Sequence, residues 1–328
     1  MWCQPSVRLD THEGACFSFH TSKCIFLITM GDHLHQLFPV VPLDAHLAMV
    51  AAFSLFAAIL LRTPTLLSYL SMVGTISTVS VCISVVLSAV TQGDMSAVLA
   101  ERKGVTDAAP YHILLDTSGI TMSLGLVAYC FSGHAIVPSI YTSMKEPQKF
   151  DRMATLTFVG VVFCCLAIGM AGYYMFGNQV ADQVTLSMEA AIEAPLLMKA
   201  LVWLMVVTAF SKVTLTMYPL ALGMEEIVAP YLTSEGAICA ASATIKVVMM
   251  GLALVVSLYV PSFSFICALV GMICTMSVSI IFPAMAHLKM FGPRLNWFEK
   301  LLDWIFILIG LFMAVSGTIA TIMGGPGA

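Results

Sequence analysis

Two stretches of this chain hold the residue types that chemistry inside an apolar medium needs. The first, Gly125 to Met144, reads GLVAYCFSGHAIVPSIYTSM. Ser132, Gly133 and His134 lie in the middle of an apolar run, with Pro138 four residues beyond His134. Glycine weakens a helix, and proline removes a backbone donor and clashes with the carbonyl four positions back, here that of His134. A helix broken there exposes backbone groups, which an apolar surrounding tolerates only where protein or a water-filled cavity covers them. The other reading is a kinked helix whose buried histidine is satisfied by a neighbour. The second stretch runs from Trp203 to Glu226. Thr208, Lys212 and Thr216 recur at i, i+4 and i+8 on one helical face, with Ser211 beside them. Placing a lysine deep in an apolar run costs at least ~2.5 kcal/mol, so Lys212 is a functional candidate. Its alternative is a side chain that snorkels to the interface. Lys199 and Lys246 lie nearer helix ends and read as snorkelling lysines, while Glu225 and Glu226 read as a helix terminus facing headgroups.

Other chemistries find little support. The chain has no GxGxxG, HExxH, P-loop, G-x-S-x-G or TVGYG sequence. His33 and His35, with His46 further on, read as solvated loop histidines rather than a metal site. Of ten cysteines, Cys82, Cys130, Cys164, Cys165, Cys239, Cys267 and Cys274 sit inside apolar runs, and none forms a CxxC pair, so they read as small packing residues. No cofactor or metal is implied, and no basic run points to nucleic acid.

The elements that must position these residues follow from composition. Hydrophobic residues are 59% of the 328 and charged residues 10%, against about 25% charged in a typical soluble domain. So few charges cannot cover a water-facing surface of this size, and a lipid bilayer must surround most of it. A spanning helix needs about 20 apolar residues. On that measure eight good candidates begin near Ala45, Ser68, Ile113, Ala154, Ala194, Ala237, Ser262 and Asp303. A poorer one, interrupted by His20 and Lys23, runs from Gly14 to Gly31. The expected class is an all-α membrane protein with about eight to nine transmembrane helices and no soluble domain. Serine stripes at Ser77, Ser80, Ser84 and Ser88, and small residues at Ser264, Ala268, Thr275 and Ser279, suit either close helix packing or pore lining. Alternate loops carry Arg62, then Lys145, Lys149 and Arg152, then Lys289, Arg294 and Lys300, which places them in the cytosol. Residues 178–193 carry only acids, Asp182, Glu189 and Glu193. The 225–235 loop, cytosolic by parity yet without lysine or arginine, is the one vote against.

At SGHAIVPSIYTSM the sequence resembles the amino acid/auxin permease family, and most closely its vacuolar amino acid transporter branch. The resemblance continues through GYYMFG at Gly172 to Gly177, FSKVTLTMYPLALGMEE around Lys212, LSYLSMVG around Leu70 and the Lys246 to Pro261 spacing. It covers roughly Cys24 to the C-terminus. It implies a leucine-transporter-like inverted-repeat fold, here lacking its first helices. Residues 24–328 would form the transporter domain, and 1–23 an atypical N-terminal segment with part of the family's third helix. The family's glycine-rich first broken helix has no counterpart, which suggests a misplaced start in the gene model. Thr208-Ala209 stands where the family has Asn-Pro.

The implied function is secondary transport of amino acids, proton-coupled, on a vacuolar or lysosomal membrane, with amino acids and protons as partners. The candidate substrate-binding residues are Tyr129, Ser132, Gly133, His134, Thr208 and Ser211, and the coupling residues His134 and Lys212. An amino-acid-binding membrane sensor, a membrane-embedded enzyme and an inactive truncated transporter are the alternatives. The basic asymmetry carries a direct expectation: the loop with Lys145, Lys149 and Arg152 faces the cytosol, and residues 178–193 face the other side. Single cysteines placed in each loop of a cysteine-free variant, labelled with an impermeant maleimide, check this. Labelling of both loops from one side contradicts it.

Overall fold

A computed structural model describes residues 22–60, 64–102, 104, 112–113, 120–133, 137, 141, 144–228, 235–260 and 262–324. The described residues contain helices and turns and no strand. In chain order the helices are α1 (22–37), α2 (Leu43–Leu60), α3 (Pro64–Gln92), α4 (Ser96–Arg102) and α5 (Ile120–Cys130). They continue as α6 (Phe150–Phe176), α7 (Val184–Ala191), α8 (Pro195–Val228), α9 (Glu235–Tyr259), α10 (Phe263–Phe291) and α11 (Trp297–Gly324).

Seven of these segments are long and apolar enough to cross a membrane: α2, α3, α6 with its flanking turns, and α8 to α11. They account for seven of the eight good candidates. The remaining one, expected from near Ile113, becomes α5, which starts at Ile120 and whose downstream continuation lies partly outside the described residues. The chain is therefore an all-helical, multi-pass membrane protein. Its burial pattern is that of a molecule solvated by lipid. Leu156 and Phe163 on α6 and Phe312 on α11 are each more than 70% exposed, while Lys23, Ser54 and Ser257 are fully buried. In water that arrangement would be heavily unfavourable, whereas lipid leaves no penalty for the outward apolar side chains.

The helices group into two compact units. Among the described residues the first draws on Asp116–Val161 and Ser264–Ala328, and the second on Ser22–Leu115 and Val162–Phe263. In the second unit α3 lies along α8, with Gly74 permitting the approach of Ser211. The serine stripe on α3 serves this packing: Ser77 and Ser88 are buried, and the hydroxyls of Ser80 and Ser84 return to carbonyls one turn back on their own helix. α2, α8 and α9 pack on one another. One end of this unit is closed by an apolar cluster centred on Val85, Leu99, Met175, Phe176 and Met188. Met95 donates its N–H to the carbonyl of Met175 there at 2.7 Å.

In the first unit α5 lies against the middle of α10, and α11 packs on both. The contact is backbone on backbone. A Cβ on Gly125 would sit 2.7 Å from the carbonyl oxygen of Ala268, and one on Gly271 would meet the carbonyl of Gly125. This is the small-residue approach that membrane helices use in place of a hydrophobic driving force. Gly125→Leu should therefore lower the thermal midpoint in detergent, with an overpacking cost of about 1–3 kcal/mol. Gly169→Ala, whose new methyl would meet no atom within 4 Å, should hold or raise the midpoint through better helix propensity. Equal losses in both variants would contradict the backbone contact.

Candidate functional site

In the first unit the helical ladder of α5 stops at Cys130. Phe131 donates instead to the carbonyl of Ala128 at 3.1 Å, and Ser132 and Gly133 continue in a tighter 3₁₀ turn. Gly133 is exposed, with no atom within 4 Å of where a Cβ would stand. Tyr129 is half-buried in the last turn of α5. His134 and Pro138, the other elements expected at this break, lie outside the described residues. Facing α5, the ladder of α10 loosens as well: Gly271–Thr275 and Ser277–Ile281 run as π-helix, a form that often marks functional positions. Thr275 Oγ1 and Ser279 Oγ are buried there without a hydrogen-bond partner. The small-residue stripe on α10 thus divides, with Ala268 packing against the α5 backbone and Thr275 and Ser279 left with free hydroxyls.

The second unit holds the other expected group, all on α8. Thr208 is buried and its Oγ1 has no partner. Ser211 is buried against Gly74, and its Oγ donates to the carbonyl of Val207 at 2.9 Å. The Nζ of Lys212 lies 5.8 Å from the ring centroid of Phe26 on α1, within cation–π range. On α2, which packs against α8, Ser54 is fully buried with its hydroxyl likewise unpaired. The structure thus gathers Thr208, Ser211 and Lys212 on one helix, and Tyr129, Ser132 and Gly133 at one helix end in the other unit.

Several polar groups sit where the sequence reading did not place them. Lys246 is a buried mid-α9 residue rather than a snorkelling helix-end lysine; its Nζ donates to the carbonyl of Ala58 at 3.3 Å. Lys23, which marked α1 as a poor spanning candidate, is fully buried, with its Nζ 4.0 Å from the sulfur of Met249. Lys199, near the start of α8, is exposed. His33 and His35 are on α1 rather than in a loop, and His33 is fully buried. The Nδ1 of His33 lies 2.8 Å from the carbonyl of Thr29 and must donate, because a carbonyl only accepts; Nε2 then accepts the hydroxyl of Thr185 at 2.9 Å. His46 is buried at the start of α2, edge-on to His35. Hydropathy could not find this cluster, because its partners are 152 residues apart.

The same end of the second unit pairs an arginine with the acidic segment of residues 178–193. Arg102 donates to Glu193 at 2.8 Å and to the carbonyl of Ala190 at 2.7 Å. Its charge is used within the protein. The pairing also joins the end of α4 to the segment after α7, as the loop parity requires. Among the described residues no group of three His, Cys, Asp or Glu side chains could hold a metal ion.

Comparison with known proteins supplies the wider context. The profile of the family described as "Transmembrane amino acid transporter protein" matches residues 15–323. The chain is similar to "Amino acid transporter AVT1E" of Arabidopsis thaliana, 28% identical over 92% of this chain and 56% of that protein. It is also similar to "Amino acid transporter AVT1D" (28%, 92% and 54%) and "Amino acid transporter AVT1C" (29%, 89% and 52%) of the same plant. The chain spans about half the length of these curated relatives.

The unpaired hydroxyl of Thr208 yields a test. A buried polar group without a partner costs about 1–3 kcal/mol, so replacing it by an isosteric methyl should not destabilise. Thr208→Val should keep or raise the thermal midpoint in detergent, whereas a hydroxyl that holds the helices together would lower it.

Proposed function

We propose, from the premise that this chain belongs to the transmembrane amino acid transporter family, that it moves amino acids across the membrane of an acidic organelle, vacuolar or lysosomal, coupled to protons. The observation that carries the reading is α5, a helix in an apolar setting that stops at Ser132 and Gly133. Discontinuous helices of this kind form midplane substrate sites in secondary transporters, where a half-helix N-terminus meets an anionic group. A half-helix N-terminus at such a break would meet the substrate's carboxylate, since helix N-termini carry partial positive charge. Tyr129 and Ser132 would line that side, and Thr208 and Ser211 are the candidate substrate-binding hydroxyls of the second unit. His134 would carry a proton, because imidazole titrates near physiological pH. The names of the similar proteins describe transporters rather than enzymes.

Lys212 is the proposed coupling residue. In leucine-transporter-like folds the corresponding helix helps form a sodium site, and an ammonium there would supply the positive charge that sodium otherwise brings. A sodium ion 4 Å away would be repelled by about 4 kcal/mol at an effective dielectric near 20. The same ammonium can release and rebind a proton through the cycle. Against this stands a structural role, the Phe26 contact fixing α8 to α1.

Vesicles carrying the protein should take up neutral or cationic amino acids saturably, driven by an imposed pH gradient and without sodium. At matched protein level, Lys212→Met should lose pH-driven accumulation while exchange of amino acid across the membrane survives. Uptake that requires sodium, or full accumulation by Lys212→Met, removes the proposed role of Lys212. Absence of any gradient-driven uptake removes the transport reading.

A further inference from the structure

One end of the second unit collects hydrogen-bond acceptors that lack donors. Gln36 on α1, Gln183 just before α7 and Glu189 on α7 each have a buried side-chain oxygen without a partner. Asp32 lies beside Gln183, one turn before Gln36. Gln183 is 6% exposed, and its Nε2 donates to Asp32 Oδ2 at 3.2 Å while its own Oε1 receives nothing. An ionised carboxylate only accepts, so it cannot answer that oxygen. A neutral carboxyl can. It pairs with a primary amide through both edges, accepting N–H on one oxygen and donating O–H from the other.

We propose that Asp32 is a proton-binding site, with its acid proton held toward Gln183 Oε1 in a cyclic acid–amide pair. The step is uptake of one proton from the water at this end of the unit, converting the carboxylate to the acid. The groups that face Asp32 favour this. Its burial, and then the charge of Asp182, raise its pKa to about 7. Farther along α7, Glu189 is raised by its own burial. Asp32 forms no ion pair with lysine or arginine among the described residues. His33 on the same helix is held below its ordinary range by burial and has both ring nitrogens engaged, so the carboxyl takes the proton and the imidazole stays neutral. Among the described residues of α1 and the start of α2, His35 and His46 lie edge-on with ring centroids 5.8 Å apart. The sign follows from the raised value: the neutral acid is complete well below pH 7 and is lost as pH rises through about 7.

The inference rests on the transport reading only for its purpose. Opposite the basic loops, this end would face the acidic compartment, where the site fills. Infrared difference titration of the full chain in lipid tests it directly. A protonated-carboxyl C=O band should titrate with a midpoint near 7 and be absent in Asp32→Asn. Asp182→Asn should keep the band and move its midpoint to lower pH, because a neighbouring charge is gone. Gln183→Leu should shift the band to higher frequency, because the acid loses its acceptor. If Asp32→Asn does not fold, the latter two variants decide the matter. A band that survives Asp32→Asn, a midpoint near the ordinary ~4 of a solvated carboxyl, or a band indifferent to both neighbours overturns the proposal. The titration uses no substrate and no gradient. Failed uptake with the band intact would sink the transport reading alone, and successful uptake without the band would sink this site alone.

Discussion

Everything in this structure depends on the absence of water from the bilayer interior. A backbone N–H or carbonyl that finds no partner there costs several kcal/mol, so a segment at membrane depth must satisfy its own groups or be covered by protein. Helices follow directly, and so do the places where the ladder is relaxed. α5 ends in a 3₁₀ turn at Ser132 and Gly133, and α10 loosens into π-helix between Gly271 and Ile281. Both irregularities belong to one unit, and α5 lies against the loosened stretch of α10 through the glycine contact. The relaxed backbone of α10 is thus covered at Gly271 by α5, while the turn at Gly133 stays exposed.

The same constraint governs charge. Lys23 and Lys246 are buried in the second unit, and Lys212 is half-buried there. Each turns toward a soft or polar surface: a thioether, a carbonyl and an aromatic face. Ammonium groups at such depth are tolerable only with partners of this sort. At the unit's end the solution differs. Arg102 and Glu193 form a partly exposed ion pair of the kind that contributes little to stability, and burial with the neighbouring charge of Asp182 raises the pKa of Asp32 to about 7.

Much of the fold was legible in the chain itself. The spanning helices could be read from apolar runs, and seven of eight appeared within a few residues of their expected starts. The stop of α5 at Ser132–Gly133 was also legible, because glycine in a helix carries a local cost. Lys246 was misjudged because a lysine's distance from the end of an apolar run does not say which way its side chain leaves the helix. His33 and His35 were misjudged because α1 extends past the apolar segment into residues that read as a loop.

The sequence by itself determined that this protein lies in a membrane, about how many times it crosses, and which residues are out of place there. Those are local properties, set by transfer free energies summed over about 20 residues. The tertiary structure alone decided how the polar residues pair. Asp32 meets Gln183 across 151 residues, and Ser257 meets the carbonyl of Cys24 across 233. No periodicity encodes such partners, because lipid presents a nearly uniform apolar surface and the rotation of each helix is chosen by its neighbours. The serine stripes show the same limit. Their spacing suited packing and pore alike, and only the position of Gly74 against Ser211, and of Gly125 against Ala268, settled which small residues are filled by a neighbouring helix and which hydroxyls, at Thr208, Thr275 and Ser279, remain unpaired.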